Sequence, residues 1–180
     1  MAITMEPILT IRIILKKIKH IKQNNYTSPQ MIAEIGCNHK GEMDIAKELL
    51  KVAAYSGVEV AKFQKRNNKE LLTEDQYNAP HPNPINSYGD TYGAHREYLE
   101  FSKEKHLELK KYCEKVGIEY STSVWDVTSA REISDLKPNF IKVPSACNTH
   151  FEMLEVLRDE FSGDIHLSLG MTTKKEENKI

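Results

Sequence analysis

Glu34, Lys62, Gln64, Thr122, Lys142, Ser145 and Ser168 share a placement that could do chemistry. Each stands at or just past the end of a short, strand-like apolar run. In α/β folds the C-terminal ends of parallel strands converge on one mouth, and that mouth carries the site. Two lysines among hydroxyls at such a mouth form an anion site, for phosphate or for phosphate with carboxylate. Lysine supplies the charge, and the hydroxyls donate hydrogen bonds to the oxygens. The same lysines admit a second chemistry, because a desolvated lysine is the nucleophile of Schiff-base aldolases. Two lysines on non-adjacent strands leave both open, and the serine and threonine set favours phosphate. Glu34 lies inside its apolar run, where a carboxylate costs free energy unless it is paired or used. Asn38 and His39 follow it in a polar turn that ends at Gly41.

The elements that must position these groups alternate along the chain. Strand-like runs cover Met31–Ile35, Val58–Gln64, Ile118–Val124, Phe140–Val143 and Ile165–Leu169. Helical patterns follow them. The first spans Met43–Tyr55, with Ile45, Leu49, Val52 and Ala53 on one face and Ser56-Gly57 closing it. Lys103–Val116 begins after Ser102 as N-cap and ends at Gly117, Val127–Leu136 is capped by Asp126, and Phe151–Glu160 follows. A last helix starts near Lys174. Between the second strand and Tyr92, residues Lys65–Thr91 form a long polar segment with Pro80, Pro82 and Pro84, read as an active-site loop. A short helix from Tyr92 through His95 and Arg96 to Glu100 closes it.

Repeated strand–helix alternation with short connections predicts an α/β fold with a parallel sheet. Neither Gly-x-Gly-x-x-Gly nor a P-loop is present, so a dinucleotide or P-loop nucleotide site has no support. Polar residues at every strand end point to a TIM-type barrel. A full barrel needs eight βα units and about 250 residues, so the expectation is a partial (β/α) barrel of about five units, with two open sheet edges that favour association.

The composition fits that class. The 180 residues are 39% hydrophobic and 28% charged, with net charge −1, which favours neither nucleic acid nor an acidic membrane. Cys37, Cys113 and Cys147 have no CxxC spacing and read as reduced thiols of a cytoplasmic protein. No apolar run approaches the roughly 20 residues of a membrane span. Residues 1–29 read as a basic amphipathic N-terminal extension, with Ile11, Ile14, Leu15, Ile18 and Ile21 at helical spacing among lysines. Residues 30–180 form the catalytic-type domain. His39, His95, His150 and His166 lack metal-ligand spacing.

Ala33–Gly41, Ala61-Lys-Phe-Gln64, Tyr92-Gly-Ala-His-Arg96, Ser121-Thr122, Ile141-Lys-Val-Pro-Ser145 and Leu167–Met171 together resemble the N-acetylneuraminate (sialic acid) synthase family, with its legionaminic and pseudaminic acid synthases. The resemblance runs from Met31 to about Thr173. It implies an enzyme condensing phosphoenolpyruvate with an N-acyl hexosamine of the N-acetylmannosamine type, giving a nine-carbon keto-sugar acid and phosphate. Lys62, Thr122, Lys142, Ser145 and Ser168 would hold phosphoenolpyruvate. Glu34 would face the sugar, with Gln64 and Asn38 among the substrate contacts, and Tyr92–Arg96 would cover the site. A divalent metal, manganese or magnesium, is implied, with ligands expected on later strands outside this chain. Cys147 stands where the family carries an acidic residue, and Ser168-Leu169-Gly170-Met171 where it reads Ser-Thr-Gly-Met. The resemblance therefore implies a phosphoenolpyruvate-dependent transferase whose activity needs a second segment. A non-catalytic anion-binding half-barrel, pairing with another copy or with a missing half, and a lysine-dependent aldolase are the alternatives.

Overall fold

The computed structural model describes residues 28–180. The amphipathic extension expected over residues 1–29 lies almost wholly outside them. Five strands form one sheet: β1 Ile32–Gly36, β2 Val60–Lys65, β3 Glu119–Val124, β4 Phe140–Val143 and β5 Asp164–Leu167. All neighbours are parallel and the order is β1-β2-β3-β4-β5. A doubly wound sheet reverses its strand order at a switch point. An unreversed run of parallel strands with a helix after each is the wall of a (β/α) barrel.

Helices α1 Met43–Tyr55, α2 Asn68–Leu71, α3 Glu74–Asn78, α4 Tyr92–Leu99, α5 Lys103–Val116, α6 Val127–Ser134, α7 Phe151–Glu160 and α8 Lys174–Glu177 connect and cover the strands. The expected caps are in place. Ser102 Oγ accepts from the Lys105 amide, Asp126 Oδ1 accepts from the Ser129 amide at 2.6 Å, and Gly117 ends α5 in the left-handed region. The buried stripe of α1 differs from the expected one. It is Ala46, Leu50 and Ala53, while Val52 is 62% exposed. Both stripes obey the helical period, and the sheet selects the one that brings Leu50 against Phe63 and Leu109.

The segment 65–91 is also not a plain loop. It holds α2, α3 and a 3₁₀ turn at Pro84–Asn86. Thr73 and Gln76 form a reciprocal capping box at the start of α3, a spacing visible in the sequence.

One face of the sheet carries two apolar clusters. Ile35, Ala61, Phe63 and Tyr120 pack against Leu50 of α1 and Leu109 of α5. Val124, Ile141 and Val143 pack against Ile133 of α6 and Leu157 of α7. Truncating a fully buried leucine such as Leu109 to alanine costs about 2–5 kcal/mol. Because strand side chains alternate, the residues between these face the opposite side, the barrel lumen. Among the described residues no helix is long and apolar enough to cross a membrane.

Candidate active site

Register decides which strand residues meet. Glu34 pairs with Lys62, and Lys62 with Ser121. Gln64 pairs with Ser123, Ser123 with Lys142, and Lys142 with His166. In-register neighbours on parallel strands point to the same face. The lumen therefore receives Glu34, Lys62, Gln64, Ser121, Ser123, Lys142 and His166.

Thr122 is not in this set. It pairs with Phe63 and Ile141, both in the helix-side core, and is fully buried. Strand alternation turns Thr122 toward the helices, and Ser123 takes the lumenal position. The sequence Ser121-Thr122-Ser123 offers a hydroxyl at each register, so only the pairing could choose.

Glu34 and Lys62 form a direct ion pair. The lysine side chain is 10% exposed and the carboxylate 56%. Glu34 is thus not the buried acid that its apolar run suggests, because it projects from an edge strand into the open lumen. Lys142 has no such partner in register. Burial, then the charge of Lys62, holds its pKa below the usual lysine value, with Glu34 opposing. Toward the strand ends this face thus carries Lys62, paired with Glu34, and Lys142, which is left for an anion.

Gly36 shapes the rim. It has φ +54° at a register shift after Glu34. A Cβ there would lie 3.3 Å from Gln64 Nε2 and 3.7 Å from a Glu34 oxygen. Ser145 opens a 3₁₀ turn after β4, and its hydroxyl abuts Gly170, where a Cβ would come within 2.7 Å. Ser168 extends β5, its amide donating to the Val143 carbonyl at 3.0 Å. Asn148 clasps this corner: its side-chain amide donates to the Ser168 carbonyl at 3.1 Å and to Thr172 Oγ1 at 2.5 Å.

The other expected residues stand elsewhere. Asn38 donates to the Ile35 carbonyl at 2.9 Å and shapes the turn after β1. His39 is buried, stacked on Phe101 at 4.0 Å, and burial lowers its pKa to about 4. Arg96 belongs to a second group, over the ends of β1 and β2. There Arg66 donates through Nε to Glu100 at 2.6 Å, through its backbone amide to the same carboxylate at 3.1 Å, and through Nη2 to Cys37 Sγ at 2.7 Å. Arg66 also lies 5.5 Å over the Trp125 ring. Arg96 contacts Tyr92 Oη at 3.4 Å. Arg66 and Glu100 escaped the sequence reading, since no periodicity marks a polar pair buried between two loops.

Cys147 donates its thiol to the Trp125 carbonyl at 3.3 Å within the core. Burial, then Asp126, raises its pKa, so it stays neutral. Among the described residues no group of three or more His, Cys, Asp or Glu side chains could hold a metal ion. Glu34 is committed to Lys62 and His39 to the core, so the described residues do not fit the divalent metal that the resemblance implies.

Comparison with known proteins adds lineage to this geometry. Residues 49–180 match the NeuB family. N-acetylneuraminate-9-phosphate synthase of Homo sapiens is 38% identical over 130 residues, 69% of this chain and 34% of that protein. The enzyme of the same name from Drosophila melanogaster is 32% identical over 157 residues, 85% of this chain and 41% of that protein. N,N'-diacetyllegionaminic acid synthase of Campylobacter jejuni is 28% identical over 146 residues, 81% and 43% of the two chains. The chain thus spans less than half the length of these relatives. In fold it is similar to an N-acetylneuraminic acid synthetase from Leptospira borgpetersenii, with TM-score 0.69 and 23% identity, over 85% of this chain and 48% of that one. A truncated 3-deoxy-D-arabino-heptulosonate 7-phosphate synthase from Thermotoga maritima shares the fold at TM-score 0.53 and 12% identity, over 82% and 43%.

Proposed function

We propose, because this chain belongs to the NeuB family, that its lumenal cluster binds phosphoenolpyruvate for condensation with an N-acyl hexosamine, releasing phosphate and a nine-carbon keto-sugar acid. The observation that carries this reading is the pair of lumenal lysines, Lys62 held by Glu34 of edge strand β1 and Lys142 on β4 with no carboxylate in register. In this reading Lys62 and Lys142 hold the phosphate and carboxylate of phosphoenolpyruvate. Ser123, Ser145 and Ser168 donate hydrogen bonds to their oxygens. Glu34, on the open side of Lys62, accepts from hydroxyls of the sugar, with Gln64 beside it. Asn38 and Arg96 act from the rim, shaping the turn and the cover.

The chemistry fits such a cradle. The enol carbon attacks the sugar aldehyde, positive charge develops at the carbon bearing the phosphate ester, water adds there, and phosphate leaves. Fixed cations hold the departing phosphate without reorganising, which is how preorganised electrostatics lowers a barrier. Resident divalent metal would supply Lewis-acid activation of the aldehyde. The described residues do not form its ligand set, so the steps assigned to this chain are anion binding and orientation. Among the described residues the outer edges of β1 and β5 are unpaired, and there a closed barrel requires further strands, from another segment or a second copy.

Calorimetric titration with phosphoenolpyruvate tests the reading. Binding by the chain and its loss in Lys142→Ala are expected, and unchanged affinity in that variant would reject the assignment. A second reading has one observation in its favour: Lys142 is desolvated beside another cation, as a Schiff-base lysine requires. Borohydride trapping with a carbonyl substrate separates the two, since only an aldolase leaves a covalent adduct on Lys142 or Lys62.

A further inference from the structure

The turn after β5 is strained, and nothing within it offsets the strain. The Thr172 amide donates to the Leu169 carbonyl at 3.2 Å, which closes a turn with Gly170 and Met171 at its centre. Met171 has φ +60°, in the left-handed region that residues other than glycine rarely adopt. Its side chain is 98% exposed, so no packing compensates. A residue held this way persists only where its surroundings fix it, and such residues gather at functional sites.

Asn148 is the group that fixes this turn. It follows the 3₁₀ turn Ser145–Cys147 after β4 and is 5% exposed. Its side-chain amide donates to the Ser168 carbonyl at 3.1 Å, just before the turn, and to Thr172 Oγ1 at 2.5 Å, at its end. The turn also meets the exit of β4 directly. A Cβ on Gly170 would lie 2.7 Å from the Ser145 hydroxyl oxygen and 3.4 Å from the Ser145 Cβ. The Ser168 amide continues the β4–β5 ladder by donating to the Val143 carbonyl. Ser168 lies two residues beyond His166, the register partner of Lys142, so alternation turns its side chain to the lumenal face. One buried side chain therefore sets the relative position of the two strand exits that carry Ser145 and Ser168.

We propose that Asn148 is a positioning residue of the anion cradle: by tying Ser168 and Thr172 to the exit of β4, it holds the Ser145 and Ser168 hydroxyls where one bound oxyanion meets both. This rests on the anion-binding reading above and deepens it. A side-chain amide has two hydrogens to donate, and both are engaged. Asn148 thus has no donor left for an anion, and its contribution runs through the serines. A binding constellation works only when its members are held within about 0.5 Å of their productive geometry, and donors already in place need no ordering when the anion arrives.

Calorimetric titration of the whole chain with phosphoenolpyruvate tests this. Asn148→Ala is expected to weaken binding about tenfold. The same substitution in the Ser145→Ala/Ser168→Ala background, where the two lysines still hold the anion, is expected to change affinity less than about twofold, because the hydroxyls it positions are gone. Thr172→Ser keeps the oxygen that accepts from Asn148 and retains the affinity of the unmodified chain. Thr172→Val keeps the shape, loses that acceptor and is expected to bind about threefold more weakly. The two Thr172 variants keep the test readable if Asn148→Ala fails to fold. Unchanged affinity in a folded Asn148→Ala, an equal loss with and without the serine hydroxyls, or equal affinities in the two Thr172 variants overturns the positioning role and leaves the cradle standing. Absence of phosphoenolpyruvate binding by an unmodified chain shown to be folded by circular dichroism, or binding that survives Lys142→Ala, overturns the cradle and the Asn148 proposal together.

Discussion

Glu34 and Lys62 occupy matched positions on adjacent parallel strands and close into an ion pair that leaves the carboxylate open to the lumen and the lysine covered. The pair neutralises one of two lumenal lysines, so Glu34 moderates the positive field there. Glu34→Gln keeps the shape and removes the charge. Sulfate or phosphoenolpyruvate affinity is expected to rise about two- to fivefold, the modest size following from the exposure of the carboxylate. Calorimetry reads it, and a fall in affinity would show that Glu34 organises Lys62 rather than competing with the anion.

The two neighbouring hydroxyls of β3 should separate cleanly. Ser123→Ala removes a lumenal donor beside Lys142, and phosphoenolpyruvate affinity is expected to fall by about 1 kcal/mol, roughly fivefold. Thr122→Val leaves affinity unchanged, since that side chain faces the helices. The reverse outcome in the same titration would mean that β3 sits one residue out of the described register.

Arg66 and Glu100 form a pair whose side chains are only 6% and 8% exposed. Burial raises the Glu100 pKa while Arg66 opposes it, so the carboxylate depends on its partner. Removing one member of a buried pair costs about 3–5 kcal/mol. Arg66→Met is expected to lose that much in urea unfolding. Adding Glu100→Leu restores part of it, the remainder being the Arg66 backbone amide, which loses its acceptor. Additive losses in the double variant would show that the two side chains are not coupled.

His106 predicts the acid limb of stability. It is fully buried, hydrogen-bonded to Tyr120 Oη at 2.8 Å, and burial lowers its pKa to about 3. A base with a depressed folded pKa is protonated first in the unfolded chain. Its stabilising contribution is therefore complete above about pH 6.5 and is lost as pH falls toward the folded value. Near pH 5.5 the loss is about 1.4 kcal/mol relative to pH 8. His39, only 2% exposed with a pKa of about 4, acts in the same direction. Urea midpoints across this range should fall with pH, and His39→Phe, which retains the stack on Phe101, should flatten the slope. A midpoint insensitive to pH between 8 and 5.5 would contradict the burial of both rings.

Much of this protein was legible in its residues alone, for reasons that are local. Strand and helix alternation follows from apolar runs and helical periodicity. The caps at Ser102, Asp126 and Gly117 are properties of a residue and its next few neighbours. The clustering of polar groups at strand ends singled out Glu34, Lys62, Gln64 and Lys142, which the register places on one face, because the C-terminal ends of parallel strands share one side of the sheet. The family resemblance also rests on ordered short motifs. What the tertiary structure decided are matters of pairing. The choice of Ser123 over Thr122 rests on register, since a shift of one residue exchanges the two faces of a strand. The stripe of α1 that is buried, the exposure of Glu34, the Arg66–Glu100 pair and the stacking of His166 on Phe140 depend on groups tens of residues apart in sequence. Local pattern determines which elements form; only the packing of one element on another determines which side chains meet, and the chemistry of this lumen belongs to the second.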